Sequence, residues 1–525
     1  MRQAHSVADV RAAEQALMAK VPDGALMQRA AAGLASVCAG LLGHVYGSRV
    51  VVLTGTGDNG GDALYAGARL AARGASVVAI AAGSRLHEGG EAALRACGGT
   101  VVPAAPTPPA TAGRDTGERD TGRNDSAAAG GGVGSDAGRA IAAADLVIDG
   151  LLGIGGHGGL REPAATLAAL TEQARQDGAV VVAVDLPSGI DADTGEVSGT
   201  AVQSDVTVSF GTIKPGLLID PGASQAGLTE LVDIGLGPYL GMPAVRSLQA
   251  DDVGTLLPQP VAESDKYRRG VLGLVAGSDQ YTGAAVLSCG GAVRGGAGMV
   301  RFVSAEIAVG VVRQHWAEAV LTTYDPQHAG DAVKAAGRVQ AWTAGPGIGT
   351  GPEAEDVLSA VLASDVPVLV DADGLTVLAR HRELLRRDAP VLITPHAGEL
   401  ARLLDADRAD IEARRLYYVR SAAAKLGVTV LLKGSTTVIA TPDTGQPVLV
   451  NSTGTSWLAT AGSGDVLSGL AGALLAQGLD TAQAAAAAAY LHGLAGRLAA
   501  RDAPIAASDV LEAIPAAIRV TADDI

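Results

Sequence analysis

Two successive α/β domains are what this sequence predicts, and three observations carry the prediction. Short runs of Val, Leu and Ile recur along the chain, each ending in Gly or a polar residue and followed by apolar residues at helical spacing, the pattern of buried strands alternating with helices. A length of 525 residues exceeds what one hydrophobic core serves. The rhythm breaks at Gly237-Pro238 and Gly241-Met242-Pro243 and restarts at Val271, which places a boundary in residues 242–249, between a first domain at 1–242 and a second at 250–525. Hydrophobic residues make up 48% of the chain and charged residues 18%, which fits a well-buried globular protein rather than a disordered one.

Residues 6–42 read as two helices, with Val7, Val10, Ala13, Leu17 and Met18 on one side of the first and Leu26, Met27, Ala30, Leu34 and Val37 on one side of the second. Val50 to Leu53 form a short buried strand that empties into Thr54-Gly55-Thr56-Gly57-Asp58-Asn59-Gly60-Gly61-Asp62 before a helix from Ala63. Strand, glycine loop and helix in that order offer backbone amides to phosphate. Gly55, Gly57 and Gly60 formally satisfy GxGxxG, yet after the next strand, Val77 to Ala81, the ribose-binding acid of a dinucleotide site is missing and Ser84-Arg85 stands there instead. Asp58, Asn59 and Asp62 crowd the loop with oxygen, which suits a hard cation held beside the ligand.

Residues 103–138 are rich in Pro, Ala, Thr, Gly and Asp with almost no large apolar residue, so a disordered surface insertion is expected. Strands resume at 146–148, ending at Asp149, and at 179–184, ending at Asp185. Both acids fall at strand carboxyl ends, where open parallel sheets place their ligands. Between them lies a second glycine loop, Gly153-Ile154-Gly155-Gly156-His157-Gly158-Gly159-Leu160-Arg161, and Asp185-Leu186-Pro187-Ser188-Gly189-Ile190-Asp191-Ala192-Asp193 leaves the second strand through a stiff turn. Val206 to Phe210, followed by Lys214-Pro215-Gly216, reads as a further strand and turn.

In the second half, Val271 to Ser278 and then Tyr281-Thr282-Gly283-Ala284-Ala285 read as strand and helix start. Met299 to Val303 is a strand, and Gly345-Pro346-Gly347-Ile348-Gly349 follows another. Val368 to Val370 ends in Asp371-Ala372-Asp373-Gly374, Val391 to Ile393 in Thr394-Pro395-His396-Ala397-Gly398-Glu399, and Val430 to Leu432 in Lys433-Gly434-Ser435-Thr436-Thr437. One rim of one sheet thus collects the chemistry. Gly462-Ser463-Gly464-Asp465 then runs into Val466, Leu467, Leu470, Leu474 and Leu475, which predicts a helix with one buried face and an open, glycine-rich N-terminus suited to phosphate. Asp465 in its first turn can take a proton from a hydroxyl during phosphoryl transfer. The helix at 482–494, with His492, needs only a packing role.

A formal charge of 39 − 55 = −16 argues against a nucleic-acid surface and leaves small phosphorylated ligands open, because glycine loops and helix ends bind phosphate without net positive charge. Cys38, Cys97 and Cys289, widely spaced in alanine-rich segments, read as reduced core thiols. No secretory leader and no membrane span is apparent, so cytoplasmic residence without membrane association is the expectation.

These motifs resemble a family, the bifunctional NAD(P)H-hydrate repair enzymes, in which an epimerase domain is fused to an ADP-dependent dehydratase domain. In the first half the D-N-G-G-D loop, the glycine loop through Arg161 and D-L-P-S-G-I-D-A-D carry the resemblance; in the second, Y-T-G-A, G-P-G-I-G, D-A-D-G-L, T-P-H-A-G-E, K-G-S-T-T and G-S-G-D-V do so in order. The resemblance implies an N-terminal Rossmann-like three-layer αβα domain followed by a C-terminal ribokinase-like α/β domain. It implies that Asp58, Asn59, Gly60, Gly61, Asp62, Gly153, Ile154, Gly155, Gly156, His157, Gly158, Gly159, Arg161 and Asp185 hold the hydrated nucleotide, with Asp185 catalytic, and that Asn59, Asp149 and Ser188 ligate potassium. In the second domain it implies that Ala285, Gly347, His396 and Asp465 face the hydrate, with Asp465 catalytic. Lys433, Gly434, Ser435, Thr436, Thr437 and Gly464 would hold ADP or AMP, with Mg2+ accompanying ADP.

Hydrated NADH and NADPH are the expected substrates and a homo-oligomer the expected assembly. Where the family commonly has Asn this chain has Asp58, and where it has Thr this chain has Ser463; both keep an oxygen in place. Two alternatives stand beside this reading. One is a ribokinase-type kinase acting on a vitamin precursor, with a non-catalytic nucleotide-binding N-terminal module; the other makes the first half a sensing or scaffolding module.

Overall fold

The computed structural model describes residues 1–105, 133–259, 261, 263 and 265–522. Most of the expected insertion lies outside these residues, but its two ends are ordered: Thr100–Pro103 is a strand and Ser135–Ala142 a helix. Two compact units form. One comprises His5–Leu217 and Pro221–Gly241; the other comprises Met1–Ala4, Leu218–Asp220 and Met242–Ile525. Within the first domain expected at 1–242, Met1–Ala4 at its start and Leu218–Asp220 inside it cluster with the later residues.

The unit at His5–Leu217 and Pro221–Gly241 is built on a seven-stranded, all-parallel sheet. Its spatial order is Thr100–Pro103, Ser76–Ala81, Arg49–Thr54, Leu146–Gly150, Val180–Val184, Val206–Phe210 and Leu228–Val232. Chain order reverses between Arg49–Thr54 and Leu146–Gly150, which opens a crevice at their carboxyl ends. Successive residues of these strands face opposite sides. Val50, Val52, Ile148 and Val182 join one core with helices Val7–Met18, Ala25–Leu42 and Asp58–Ala71, while Val51, Leu53, Val147 and Val181 join another with Ser135–Ala142 and Ala164–Gln176. The result is three layers, helix, sheet and helix. Ala25–Leu42 is long and apolar enough by length and composition to cross a membrane, which the sequence reading did not register. Here its Ala30, Ala31, Leu34, Ala35 and Cys38 are buried in the protein.

The other unit holds an eleven-stranded sheet in the order Arg2–Ala4, Val245–Ser247, Val448–Asn451, Thr437–Ala440, Thr429–Leu432, Val391–Ile393, Val368–Val370, Ala341–Ala344, Val271–Val275, Met299–Ser304 and Val320–Thr323. The seven strands from Thr429–Leu432 to Val320–Thr323 are parallel and reverse order between Ala341–Ala344 and Val271–Val275. Thr437–Ala440 returns antiparallel beside Thr429–Leu432.

Helix Ser463–Ala476 departs from expectation. Every residue from 466 to 476 is buried, so it has no open face and is a central core helix. Each of its Val and Leu side chains contributes about 1.5–3 kcal/mol by leaving water. Glycines permit the closeness: a Cβ on Gly469 would lie 2.0 Å from the Ser288 carbonyl, and one on Gly291 2.3 Å from the Val466 carbonyl, so this helix and Thr282–Arg294 meet backbone to backbone. Cys38 and Cys289 are buried free thiols as expected, but Cys97 is exposed at the end of Glu88–Ala96, where the helix runs out to the surface.

Candidate functional sites

The crevice of the seven-stranded sheet is a cavity of about 750 Å³. Asp58, Asn59, Asp62, Gly153, Ile154, Gly155, Gly156 and Asp185 line it, as do Arg11, Glu14, Tyr65 and His87, which the sequence did not single out. Gly60 and Gly61 lie behind the wall in the first turn of Asp58–Ala71, where a Cβ would meet the Gly55 carbonyl at 2.5 Å or the His87 ring at 3.0 Å. Their part is to let the loop fold tightly. The far end of the second glycine loop is not among the lining residues. His157 is exposed with Nδ1 3.5 Å from Asp191, Gly158 turns at φ +77°, Gly159 packs on the Ser198 carbonyl, and Arg161 is exposed.

Asp185 adopts φ +65°, a left-handed conformation that is costly for a residue with a side chain and is held by its surroundings. Its Oδ1 accepts from the buried Lys214 Nζ, forming an ion pair, and from the Phe210 amide at 3.0 Å. Lys214 also donates to the Phe210 carbonyl at 3.1 Å. Asp62 Oδ1 is buried without a hydrogen-bond partner. Burial pushes its carboxyl well above the usual range, and Asp185, Asp58 and Glu14 push the same way. Glu14 is raised likewise, by burial and then by Asp185. Of the carboxyls lining the cavity, Asp185 and Asp62 thus sit in opposite surroundings, one beside a lysine and the other desolvated among acids.

Beneath them, Asp149 is fully buried and accepts from Ser188 Oγ at 2.7 Å, the Ser188 amide at 2.8 Å and the Leu151 amide at 3.3 Å. Burial pushes it up to about 6 against these hydrogen bonds. Asn59 Nδ2 donates to the Leu152 carbonyl at 3.0 Å, and Ser188 Oγ reaches the same carbonyl at 3.3 Å. The donor set of Asn59, Asp149, Ser188 and the Leu152 carbonyl consists of hard oxygens around one buried carboxylate, which fits a potassium-like cation.

In the other unit, four side chains from four chain segments converge. Lys433 Nζ donates to Asp371 Oδ1 at 2.8 Å and lies 3.8 Å from Glu399 Oε2. Ser468 Oγ donates to the other oxygen of Asp371 at 2.5 Å. Burial alone would lower Lys433, yet Asp371, Glu399 and Asp465 together raise it. Asp465, in the first turn after the left-handed Gly462, is pushed up to about 7 by burial and by Asp371, with Lys433 opposing. A Cβ on Gly464 would lie 3.6 Å from Lys433 Nζ, which places this helix start beside the lysine.

His396 spends Nδ1 as a helix cap, accepting from the Gly398 amide at 3.0 Å and the Glu399 amide at 3.3 Å, and burial with the nearby Lys433 lowers its pKa. Gly347 turns at φ +65° against Tyr281 and Ala284. Ala285 is fully buried, its side chain packed against Gly277. His492, read as packing only, is buried, is pushed down to about 4 by burial, and donates from Nε2 to the Ser463 carbonyl at 2.9 Å, steadying the glycine turn. Among the described residues no three His, Cys, Asp or Glu side chains converge to hold a metal.

Over residues 23–216 the chain matches the family model described as YjeF-related protein N-terminus, and over 272–516 the one described as NAD(P)H-hydrate dehydratase. The bifunctional NAD(P)H-hydrate repair enzyme Nnr of Mycobacterium leprae (strain TN) is 44% identical over 508 residues, 96% of this chain and 95% of that protein. That of Mycobacterium tuberculosis (strain ATCC 25618 / H37Rv) is 45% identical over 492 residues, 93% of this chain and 92% of that protein. The ADP/ATP-dependent NAD(P)H-hydrate dehydratase from Bacillus subtilis, co-crystallised with ATP/Mg2+, shares 30% identity over 52% of this chain and 97% of its own, with a TM-score of 0.47. Identity of this degree across nearly the full length of both proteins shows that the chain belongs to the family of bifunctional NAD(P)H-hydrate repair enzymes.

Proposed function

We infer that the two sites perform successive steps of one repair, the first interconverting the R and S hydrates of NADH and NADPH and the second dehydrating the S hydrate to NAD(P)H at the expense of ADP. What carries this reading is that each unit sets a lysine–aspartate ion pair beside a second carboxyl whose pKa burial raises. Site residues 58–62 and 153–156 with Asp185 would hold the hydrate in the first crevice. Potassium, held by Asn59, Asp149 and Ser188, would supply a fixed positive charge there.

The hydrate arises by addition of water to the double bond next to the ring nitrogen, so its hydroxyl-bearing carbon also carries nitrogen. Inverting it requires one proton to leave the hydroxyl as the carbon–nitrogen bond opens, and one to reach the nitrogen; reclosure from the other face reverses both. Asp185, paired with Lys214, would be the base, and Asp62, whose proton is favoured by burial among acids, the acid.

In the second crevice hydroxide is the poor leaving group to be removed. Asp465 would accept the hydroxyl proton as the hydrate oxygen attacks the terminal phosphorus of ADP, releasing AMP. The Gly464 amide and Lys433 would balance charge on the moving phosphoryl group; the carbon–oxygen bond to phosphate then breaks, the neighbouring ring carbon gives up a proton to the departing phosphate, and the ring double bond is restored. Mg2+ bound with the nucleotide would neutralise phosphate charge facing Asp371 and Asp465. His396 and Gly347 would border the hydrate, and residues 433–437 the adenine nucleotide.

The test is to follow AMP and reduced-nicotinamide absorbance from purified hydrates in the Asp465→Asn variant. ADP-dependent recovery should disappear while interconversion of the epimers continues; loss of both would refute separate sites.

A further inference from the structure

The loop at 433–437 joins strands Thr429–Leu432 and Thr437–Ala440, and its shape is imposed from two sides. From below comes Arg415, buried on helix Arg415–Leu426. Its Nη2 donates to the carbonyls of Leu432 at 3.2 Å, Lys433 at 3.0 Å and Thr436 at 2.9 Å. A Cβ on Gly434 would come within 2.4 Å of that nitrogen, so the loop backbone rests on the guanidinium. Three carbonyl acceptors hold the guanidinium in place, and it has little freedom to swing aside.

The second side is Asp220, which reaches this unit in the short segment Leu218–Asp220 although it belongs to the earlier half of the sequence. Asp220 is buried. Ser435 Oγ donates to its Oδ2, and its own amide donates to Thr436 Oγ1 at 3.0 Å. Two of the three hydroxyls of the loop are therefore engaged by one residue far away in sequence. The Ser435 proton is already committed to Asp220, which leaves the exposed Gly434–Ser435 backbone as the face the loop presents to a ligand.

We propose that Asp220 is a positioning residue of the dehydratase site, which through Ser435 and Thr436 fixes the 433–437 loop, already seated on Arg415, in the shape that receives the nucleoside diphosphate. The proposal rests on assigning ADP to this loop. Asp220 takes no part in phosphoryl transfer and touches neither Lys433 nor Asp465 in any hydrogen bond described above. Its loss should therefore weaken nucleotide binding and leave the chemical step nearly intact.

The experiment measures KM for ADP, kcat for dehydration and the epimerisation rate in the full-length protein for Asp220→Asn, Ser435→Ala, the double variant and Gly434→Ala. Asp220→Asn should raise KM for ADP roughly five- to tenfold, the worth of about one ordinary hydrogen bond, with kcat within about twofold and epimerisation unchanged. Ser435→Ala should add little in the Asp220→Asn background, because the two act through one bond. A KM raised by Gly434→Ala but untouched by Asp220→Asn would overturn the positioning role. A KM unmoved by Gly434→Ala, which drives a methyl group into Arg415, would instead overturn the assignment of ADP to the loop. A matched fall in kcat and epimerisation in Asp220→Asn, with a lowered melting temperature, would mean that Asp220 serves stability alone.

Discussion

Asp62 and Asp465 share a residue-level logic, in that burial among other carboxyls makes their charged forms expensive. For Asp62, a folded-state pKa above the unfolded value means that its contribution to stability is complete at low pH and lost as pH rises through the folded pKa. Asp62→Asn removes that penalty, so it should melt higher than the wild type at neutral and alkaline pH, by a few degrees at most, and no higher in acid. Its epimerisation should meanwhile fall by about 10²–10⁴-fold, the usual worth of a general acid. A thermal melt series across pH, run beside the epimerisation assay, checks both halves. Asp465 must be ionised to act as a base, so the dehydration kcat should rise with pH through about 7 and then level off. A profile flat across neutrality would exclude Asp465 as the base. Asp465 stood out in the sequence because Gly-Ser-Gly before it implies close approach by an anionic group, where a first-turn acid alone would only suit the helix dipole. Lys214 did not, because Lys-Pro-Gly after a strand looks like a solvated turn, and only the fold turns that lysine inward to Asp185.

At the scale of elements, both sites depend on strand ends that meet without side chains between them. A Cβ on Gly55 would lie 2.0 Å from the Leu151 carbonyl, and one on Gly345, at φ +133°, 1.9 Å from the Asp371 carbonyl. Gly345→Ala thus combines a forbidden backbone conformation with a collision against immovable main chain. It should cost about 3 kcal/mol or more, measurable by chemical denaturation, and displace Asp371 from Lys433. The parallel strands were readable because fully buried strands are nearly continuous apolar runs. The three-residue strands Arg2–Ala4, at the sheet edge, and Val245–Ser247 beside it were not, since three residues carry no period. Helix Ser463–Ala476 was found by its spacing but misjudged in its exposure. Its glycines at 469 and 472 are where helix Thr282–Arg294 and the sheet lie closest.

For the whole molecule, division of the chain into units is the feature furthest from the linear sequence. The eleven-stranded sheet takes its edge from Arg2–Ala4, paired antiparallel with Val245–Ser247, and the same unit takes in Leu218–Asp220. A polypeptide of residues 250–525 lacks all three segments. It should unfold at a lower temperature than the same unit in the full chain and show a higher KM for ADP, which melting curves and kinetics on the two proteins would reveal. Such crossings are invisible to composition, because each is only a few residues long and is defined by where the rest of the fold receives it. The most direct measurement of the central claim is incubation of each purified hydrate epimer with the protein, with and without ADP, following epimer composition, AMP and reduced nicotinamide together. Two sites acting in sequence predict that either epimer alone becomes a mixture without ADP, and that with ADP both return fully to NAD(P)H with one AMP formed for each. Recovery of only one epimer with ADP, or recovery without AMP, would contradict it.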